Sequence, residues 1–297
     1  MTILEFEDIH RAYTRHNDVL HGVCFALQAG EVVGLLGKNG AGKTTLMRIA
    51  MGLIEAQQGR VRLFGLDPRR KPLEVKRRVG YVSEDQILPP FLRVAEVIAL
   101  HRQLFPTWDD TLATRLSERF RLSLGTRISA LSKGEARQVA LLCAVSHRPE
   151  LLLLDEPAGG LDPVMRREFL ETAIHLLNEA GTAILFSSHY MFDVERLAAR
   201  VVMLHEGRVL LDSPLDDLRE SYSLALVPRA TAATEDALLA LEDCLSVRQR
   251  PEALHTVFRL DPEGARQLLV RQLGLSGVRC RTIALEEMFV ELLGGQL

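Results

Sequence analysis

The stretch Gly37-Lys38-Asn39-Gly40-Ala41-Gly42-Lys43-Thr44 decides the reading of this chain. It fits the pattern GxxxxGK[ST] without a mismatch. Glycines let the backbone curl so that its N–H groups point inward around a phosphate chain. A helix opening at this point presents its positive end to the same phosphates. Lys43 has the reach for the β- and γ-phosphates, and the Thr44 hydroxyl is a ligand for Mg²⁺. The flanks agree. Gly30-Glu31-Val32-Val33-Gly34-Leu35-Leu36 reads as a buried strand before the loop, and Thr44 to Leu53 shows helical apolar spacing after it, with Leu46, Ile49, Ala50 and Leu53 on one side.

Working outward, Leu151-Leu152-Leu153-Leu154 is a second continuous apolar strand and Ala183-Ile184-Leu185-Phe186 a third, joined by helical periodicity over Arg166–Glu179. Val79–Ser83 is a shorter candidate. Fully apolar strands alternating with helices predict a mainly parallel sheet covered on both faces, the α/β class. Residues from Val94 to Ser146 read mainly as helix, broken near Pro106, Gly125 and Ser132, and look like a subdomain inserted into that sheet. Past Ser221 the texture changes. Ser223–Val227, Thr256–Leu260 and Val278–Ile283 read as short strands, and Glu235–Cys244, Glu263–Leu273 and Leu285–Leu293 as helices. This is a small α+β appendage without a chemical motif.

Three further sites carry chemistry. Asp155-Glu156 closes the second apolar strand, where ionised carboxylates are costly unless they face a cation or perform a task. Asp155 is placed to hold Mg²⁺, and Glu156 to polarise an attacking water. Leu131-Ser132-Lys133-Gly134-Glu135 precedes an apolar helix, so the Ser132 hydroxyl and the Gly134 N–H sit where a helix N-terminus binds an anion; alone, this is a helix cap. His189 follows the third strand in Ser187-Ser188-His189, at a sheet edge where ligands of α/β folds bind.

The order of these motifs resembles the ATPase subunit of ABC transporters over residues 3–220. Gly37–Thr44 matches the family's first nucleotide motif and Leu151–Glu156 its acidic strand. Leu131–Glu135 resembles its signature sequence, Gly160-Leu161-Asp162 its D-loop, and His189 its switch histidine. The resemblance implies a P-loop NTPase fold with an N-terminal antiparallel β portion and a helical subdomain at about 85–150. It implies an ATPase domain over 1–220 and an accessory domain over 221–297. ATP and Mg²⁺ are the implied cofactors. Gly37 to Thr45 would hold phosphate, Tyr13 would stack on adenine, and Thr44, Asp155 and Glu84 would serve the metal. Glu156, His189 and Glu84 would be catalytic. Ser132 and Gly134 would complete a partner's site, because two such domains of the family pack head to tail around two ATP molecules, and Asp162 of the D-loop would join the nucleotide-binding residues.

Two positions depart from the family. Glu84 stands where glutamine is usual, which adds negative charge beside a triphosphate, and Gln86 lies two residues on. Lys133 and Glu135 replace the usual glycine and glutamine of the signature. A charge at Glu135 is favourable at a helix start. Phe105-Pro106-Thr107-Trp108-Asp109-Asp110 and the appendage resemble exporter-type ATPases related to antibiotic-resistance and lantibiotic-immunity transporters. These work with a separate permease chain, and Pro89-Pro90-Phe91-Leu92 is the stretch expected to touch it.

Composition sets the remaining limits. The chain has 297 residues, 47% hydrophobic and 25% charged, and 36 basic against 39 acidic residues give a net charge of -3. That is globular composition with no electrostatic footprint for nucleic acid or anionic lipid. The N-terminus carries acids where a signal peptide carries a basic region. No apolar run approaches the roughly 18 residues of a membrane span. A cytoplasmic protein, peripheral on the membrane only through a permease, is expected. Cys24, Cys143, Cys244 and Cys280 form no CxxC pair and are expected to be free, mostly buried thiols. Two other classes, a soluble ABC ATPase acting on ribosomes or DNA and an ATP-binding switch with little turnover, find less in the sequence. The first usually carries two ATPase domains or long coiled coils, and the second has only Glu84 behind it.

Overall fold

The apolar runs of the sequence become the centre of a six-stranded sheet in the computed structural model, which describes residues 1–14, 17–84, 88–159, 163–178, 181–229 and 234–293. Two compact units divide the chain, Met1–Asp212 and Ser213–Leu297.

The first unit opens with two long strands, β1 (Thr2–Thr14) and β2 (Asn17–Gln28). The buried β3 (Val32–Leu36) and helix α1 (Lys43–Ala50) follow, then β4 (Gln58–Leu63) and the short α2 (Pro72–Lys76). Next come β5 (Val79–Val82), α3 (Val94–Leu104), α4 (Asp110–Arg119) and α5 (Lys133–Val145). The unit ends with β6 (Leu151–Leu154), α6 (Pro163–Asn178), β7 (Ala183–Ser188), α7 (Met191–Leu197), β8 (Arg200–His205) and β9 (Arg208–Pro214).

Strands β1, β2 and β4 form an antiparallel sheet in the order β2-β1-β4. Strand β1 alternates until Asp8, whose φ of 52° marks a bulge; the register slips there, so that Phe6 and Ile9 both turn inward. The main sheet has the order β5-β6-β7-β3-β8-β9. Strands β5, β6, β7, β3 and β8 pair in parallel. Every residue of β3 and β6 is buried, the mark of a sheet covered on both faces. One core joins the two sheets, with Leu4, Phe6, Leu35, Leu46, Leu153 and Leu185 among its members.

Register fixes where the site falls. Leu36 of β3 lies opposite Ser188 of β7, Phe186 of β7 opposite Leu154 of β6, and Leu154 opposite Val82 of β5. The loops leaving all four strands therefore emerge along one edge, at their carboxyl ends.

Helices α3, α4 and α5 fill the stretch predicted as an inserted subdomain, with one turn of 3-10 helix at Ile128–Ala130. Helix α4 is capped by Asp109, whose carboxylate accepts from the Leu112 N–H. Helix α1 ends at Ala50, earlier than the predicted Leu53. Leu53 lies in the following turn and is 52% exposed, so it is not part of the buried stripe. Of the four free cysteines only Cys143 is buried; Cys24 is exposed and the other two are intermediate, which corrects the expectation of mostly buried thiols.

The second unit begins with α8 (Leu215–Ser221). It continues as β10 (Ser223–Pro228), α9 (Glu235–Leu239), β11 (Cys244–Gln249) and β12 (Ala253–Phe258). Helix α10 (Pro262–Leu273), β13 (Arg279–Thr282) and α11 (Leu285–Leu293) close it. Its sheet has the order β11-β12-β10-β13, every pair antiparallel. Ala225, Val227 and Phe258 pack with Leu238 of α9 and with Ala265 and Leu269 of α10. Helix α9 stops at Leu239, short of the predicted end at Cys244, and Cys244 instead opens β11, a strand that the sequence reading did not predict. Cys244 pairs with Phe258 and Val247 is buried in the sheet, so tertiary pairing outweighs the helical spacing at Cys244. Among the described residues no helix is long and apolar enough to cross a membrane.

Candidate functional site

The loop Gly37–Gly42 leaves β3 and turns directly into α1. Gly42 holds φ 105°, and a Cβ there would lie 2.6 Å from Leu20 Cδ2 and 3.1 Å from the Val19 carbonyl. Only glycine meets both conditions. Gly40 is different: a Cβ on it would meet nothing within 4 Å, so the loop is open on that side. Helix α1 has no side-chain cap and no acidic residue in its first turn. Its N-terminal N–H groups and its dipole are left for an anion. Lys43 is buried. Its Nζ donates to the Gly37 carbonyl at 2.6 Å and the Lys38 carbonyl at 3.2 Å, and lies 3.1 Å from Glu156 Oε1.

Asp155 and Glu156 follow β6 at the same edge. Asp155 is fully buried. Its Oδ1 accepts from Thr44 Oγ1 at 3.1 Å and from Ser187 Oγ at 3.0 Å, while its Oδ2 is buried with no hydrogen-bond partner among the described residues. Burial pushes the Asp155 carboxyl above its ordinary value, and the charges of Glu84 and Glu156 push the same way; the two hydroxyl donors oppose them. Glu156 adopts φ 44°, a left-handed conformation unusual for a residue with a side chain. Its N–H donates to Ser187 Oγ at 2.7 Å, and its Oε2 lies 2.9 Å from His189 Nδ1. Lys43, Glu156 and His189 thus form one polar row across the ends of β3, β6 and β7.

An open cleft of about 960 Å³, measured with its mouth, is lined by Tyr13, Val19, Asn39, Gly40, Gly42, Lys43, Thr44, Thr45, Glu84 and Glu156. The Tyr13 hydroxyl is 3.3 Å from Thr45 Oγ1, and the Arg11 guanidinium stands over the Tyr13 ring at 5.2 Å. Glu84 is exposed, and its carbonyl accepts from Arg137 Nη2 at 3.3 Å. Lys38 contributes its carbonyl to Lys43, and Ala41 is buried under the loop. The orphaned Asp155 Oδ2 beside the Thr44 hydroxyl is the surrounding a hydrated Mg²⁺ needs. That ion keeps several waters and takes few protein ligands, so the residues present fit it.

Ser132 and Gly134 are not among the residues lining this cleft. Ser132 caps α5 in a capping box. Its Oγ accepts from the Glu135 N–H at 3.2 Å and lies 2.7 Å from Glu135 Oε2, which also accepts from the Ser132 N–H at 2.8 Å. These contacts hold the Glu135 carboxyl below its ordinary value. Gly160, Leu161 and Asp162, with Asp85 and Gln86, lie outside the described residues. Sequence reading missed Ser187 and Val19. Ser187 ties Asp155 to Glu156, and its only sequence signal was a hydroxyl at the end of an apolar strand.

The family model described as ABC transporter matches residues 20–159. The ABC transporter ATP-binding protein NatA of Bacillus subtilis is 37% identical over 205 residues, covering 67% of this chain and 83% of its own. The ABC transporter ATP-binding protein YtrB of the same organism is 29% identical over 281 residues, 94% of each chain. A solved ATP binding subunit of an ABC transporter superposes with a TM-score of 0.66 at 32% identity, covering 73% of this chain and 92% of that one. The chain belongs to the ABC transporter ATP-binding family, whose cassettes are P-loop ATPases.

Proposed function

Given membership in the ABC transporter family, we propose that this chain hydrolyses Mg·ATP as the motor subunit of an exporter whose membrane-spanning permease is a separate chain. The observation that carries the reading is the row Lys43–Glu156–His189 beside an orphaned Asp155 oxygen, at the mouth of an uncapped helix.

In this reading Gly37 to Thr45 cradle the phosphates, and Lys43 leaves the carbonyls of Gly37 and Lys38 for phosphate oxygens. Thr44 and Asp155, with Glu84 at the cleft wall, would hold Mg²⁺, which when bound neutralises charge on the phosphates. Glu156 takes the proton of the attacking water, a role that its contact with His189 orients. Tyr13, at the far wall of the cleft, presents a ring for adenine.

Ser132 and Gly134 act on the nucleotide of a second protomer, a reading supported by their absence from the lining of the chain's own cleft. Each site is then incomplete without a partner, and a head-to-tail homodimer closes on two ATP molecules. Phe91, 73% exposed in the segment before α3, is the point of permease contact. Residues 221–297 form the accessory domain, and the protein works on the cytoplasmic face of the membrane without contacting lipid or nucleic acid itself.

The test is a pull-down from native membranes with the Glu156→Gln protein and Mg·ATP, read by mass spectrometry. Recovery of a multispanning protein supports the reading. Recovery of ribosomal or DNA-associated partners alone overturns it.

A further inference from the structure

The His189 ring meets Glu156 through one nitrogen, and an imidazole on a single hydrogen bond has a broad second side-chain torsion to lose. A second contact restrains it. The Tyr190 ring packs on the His189 ring with centroids 3.9 Å apart, tilted by 38°. The Arg166 guanidinium sits 3.3 Å from the Tyr190 ring centroid, a cation–π contact. Asp193 Oδ2 fixes Arg166 in turn, accepting from Nε at 2.9 Å and also from Nη2. Both members of that ion pair are largely buried, so the planar fork is held where an exposed arginine would wander. Ser188 tightens the turn by accepting the Tyr190 N–H at 3.0 Å.

We propose that Tyr190 and Arg166 are positioning residues for hydrolysis. The stack Asp193–Arg166–Tyr190 fixes the His189 ring with Nδ1 on Glu156 and leaves Nε2 as the ring nitrogen for the nucleotide. The proposal rests on the assignment of His189 and Glu156 to hydrolysis made above. Arg166 belongs to the first turn of α6, the helix that follows residues 160–162 in the chain. The start of α6 and the His189 ring are therefore tied through one guanidinium. A shift of α6 along its axis would pull Arg166 off the Tyr190 ring and loosen His189 with it. Neither Tyr190 nor Arg166 lines the cleft of Lys43 and Thr44, and neither is assigned a contact with ATP. The effect belongs in kcat and not in KM.

The experiment is steady-state ATPase kinetics of the full-length chain with Mg·ATP, with thermal melting of each variant. Tyr190→Leu removes the ring. It is expected to lower kcat five- to twentyfold, with KM for ATP within twofold and Tm unchanged. Tyr190→Phe keeps the ring and is expected to restore kcat to within twofold of the parent. Arg166→Gln combined with Tyr190→Leu is expected to be no slower than Tyr190→Leu alone, since both act through one stack. A parental kcat in Tyr190→Leu overturns the proposal, as does equal damage in Tyr190→Phe or an additive double variant. His189→Ala separates the two levels. If it keeps parental kcat, the assignment of His189 falls and the proposal with it. If it loses kcat while Tyr190→Leu does not, only the proposal falls.

Discussion

Lys43 Nζ lies 3.1 Å from Glu156 Oε1, and both side chains are less than a tenth exposed. The lysine proposed to bind phosphate and the proposed general base form a buried pair of opposite charges. The contact is one of charge, since Glu156 Oε1 has no aligned hydrogen bond. On the proposed function, a triphosphate entering the loop would compete with Glu156 for Lys43 and leave the carboxylate to His189 and water. Breaking a buried pair by removing one member leaves an unpaired charge, at about 3–5 kcal/mol. Two partners on the glutamate soften that cost here.

From this pair we predict that Glu156→Gln slows turnover by about 10²–10⁴-fold, the worth of a positioned general base. The same variant frees Lys43 and is expected to bind ATP more tightly and to persist as an ATP-bound dimer. Fluorescent-nucleotide titration and light scattering check both effects. A monomeric, fully active variant would contradict the assigned mechanism.

Asp155→Asn is expected to separate stability from activity. The folded carboxyl is raised above its ordinary value, chiefly by burial. Its stabilising contribution is complete below that ordinary value and is lost as pH rises through the folded pKa, so at neutral pH the ionised group is a burden. Asparagine keeps an acceptor for Thr44 and Ser187. The variant is expected to melt higher than the parent at pH 7 without ligand, and to lose Mg²⁺-dependent turnover. Melting at or below the parental temperature would refute the account.

Glu84→Gln removes one of the charges that raise Asp155. Turnover is expected to be retained or increased, with saturation in Mg²⁺ changed by less than tenfold. Complete loss of ATPase activity would show that the carboxylate is specifically required.

Glu135→Gln addresses the signature. The carboxylate at Ser132 engages the hydroxyl that the proposed dimer needs for a partner's phosphate. Its folded pKa is lowered, so the cap is intact above the ordinary glutamate range and weakens as pH falls through the folded value. At pH 7 the exposed substitution is expected to change Tm little, as surface charge contacts contribute little. ATP-driven dimerisation, measured in a Glu156→Gln background, is expected at lower ATP. An unchanged ATP dependence would sink the idea.

His147 supplies a pH test of the fold. It is buried, its ring stacks on Phe105 with centroids 4.0 Å apart, and burial is the chief reason its pKa lies below the ordinary 6.5. Stability is full above 6.5 and declines as pH falls from there toward the folded value, because the unfolded chain takes the proton first. His147→Gln is expected to flatten that slope in melting curves taken between pH 8 and pH 5. An identical slope in both proteins would assign the acid sensitivity elsewhere.

Much of this protein was legible in its residues because the relevant physics is local. Four leucines before Asp155 announce a buried strand, and a glycine before Lys43 announces a turn that only glycine makes. The glycine-rich loop and the acidic strand end followed from those neighbours, whereas His189 was singled out by its place after an apolar strand and by the family resemblance. The failures were also local in cause. Leu53 fits a helical stripe yet lies beyond the helix end. Cys244 closes a helical pattern in the sequence and joins a sheet because β12 lies beside it.

The sequence by itself determined the central strands β3, β6 and β7 and the glycine loop between β3 and α1, since period, glycine placement and charge at strand ends act over a few residues. Only the tertiary structure decided the partnerships. Parallel register aligns Leu36 with Ser188 and Leu154 with Phe186, and so brings Lys43, Glu156 and His189 into one row. The same packing lays Arg166 on Tyr190, 24 residues away. Contacts at that separation depend on how strands and helices dock, and no short window of sequence encodes that.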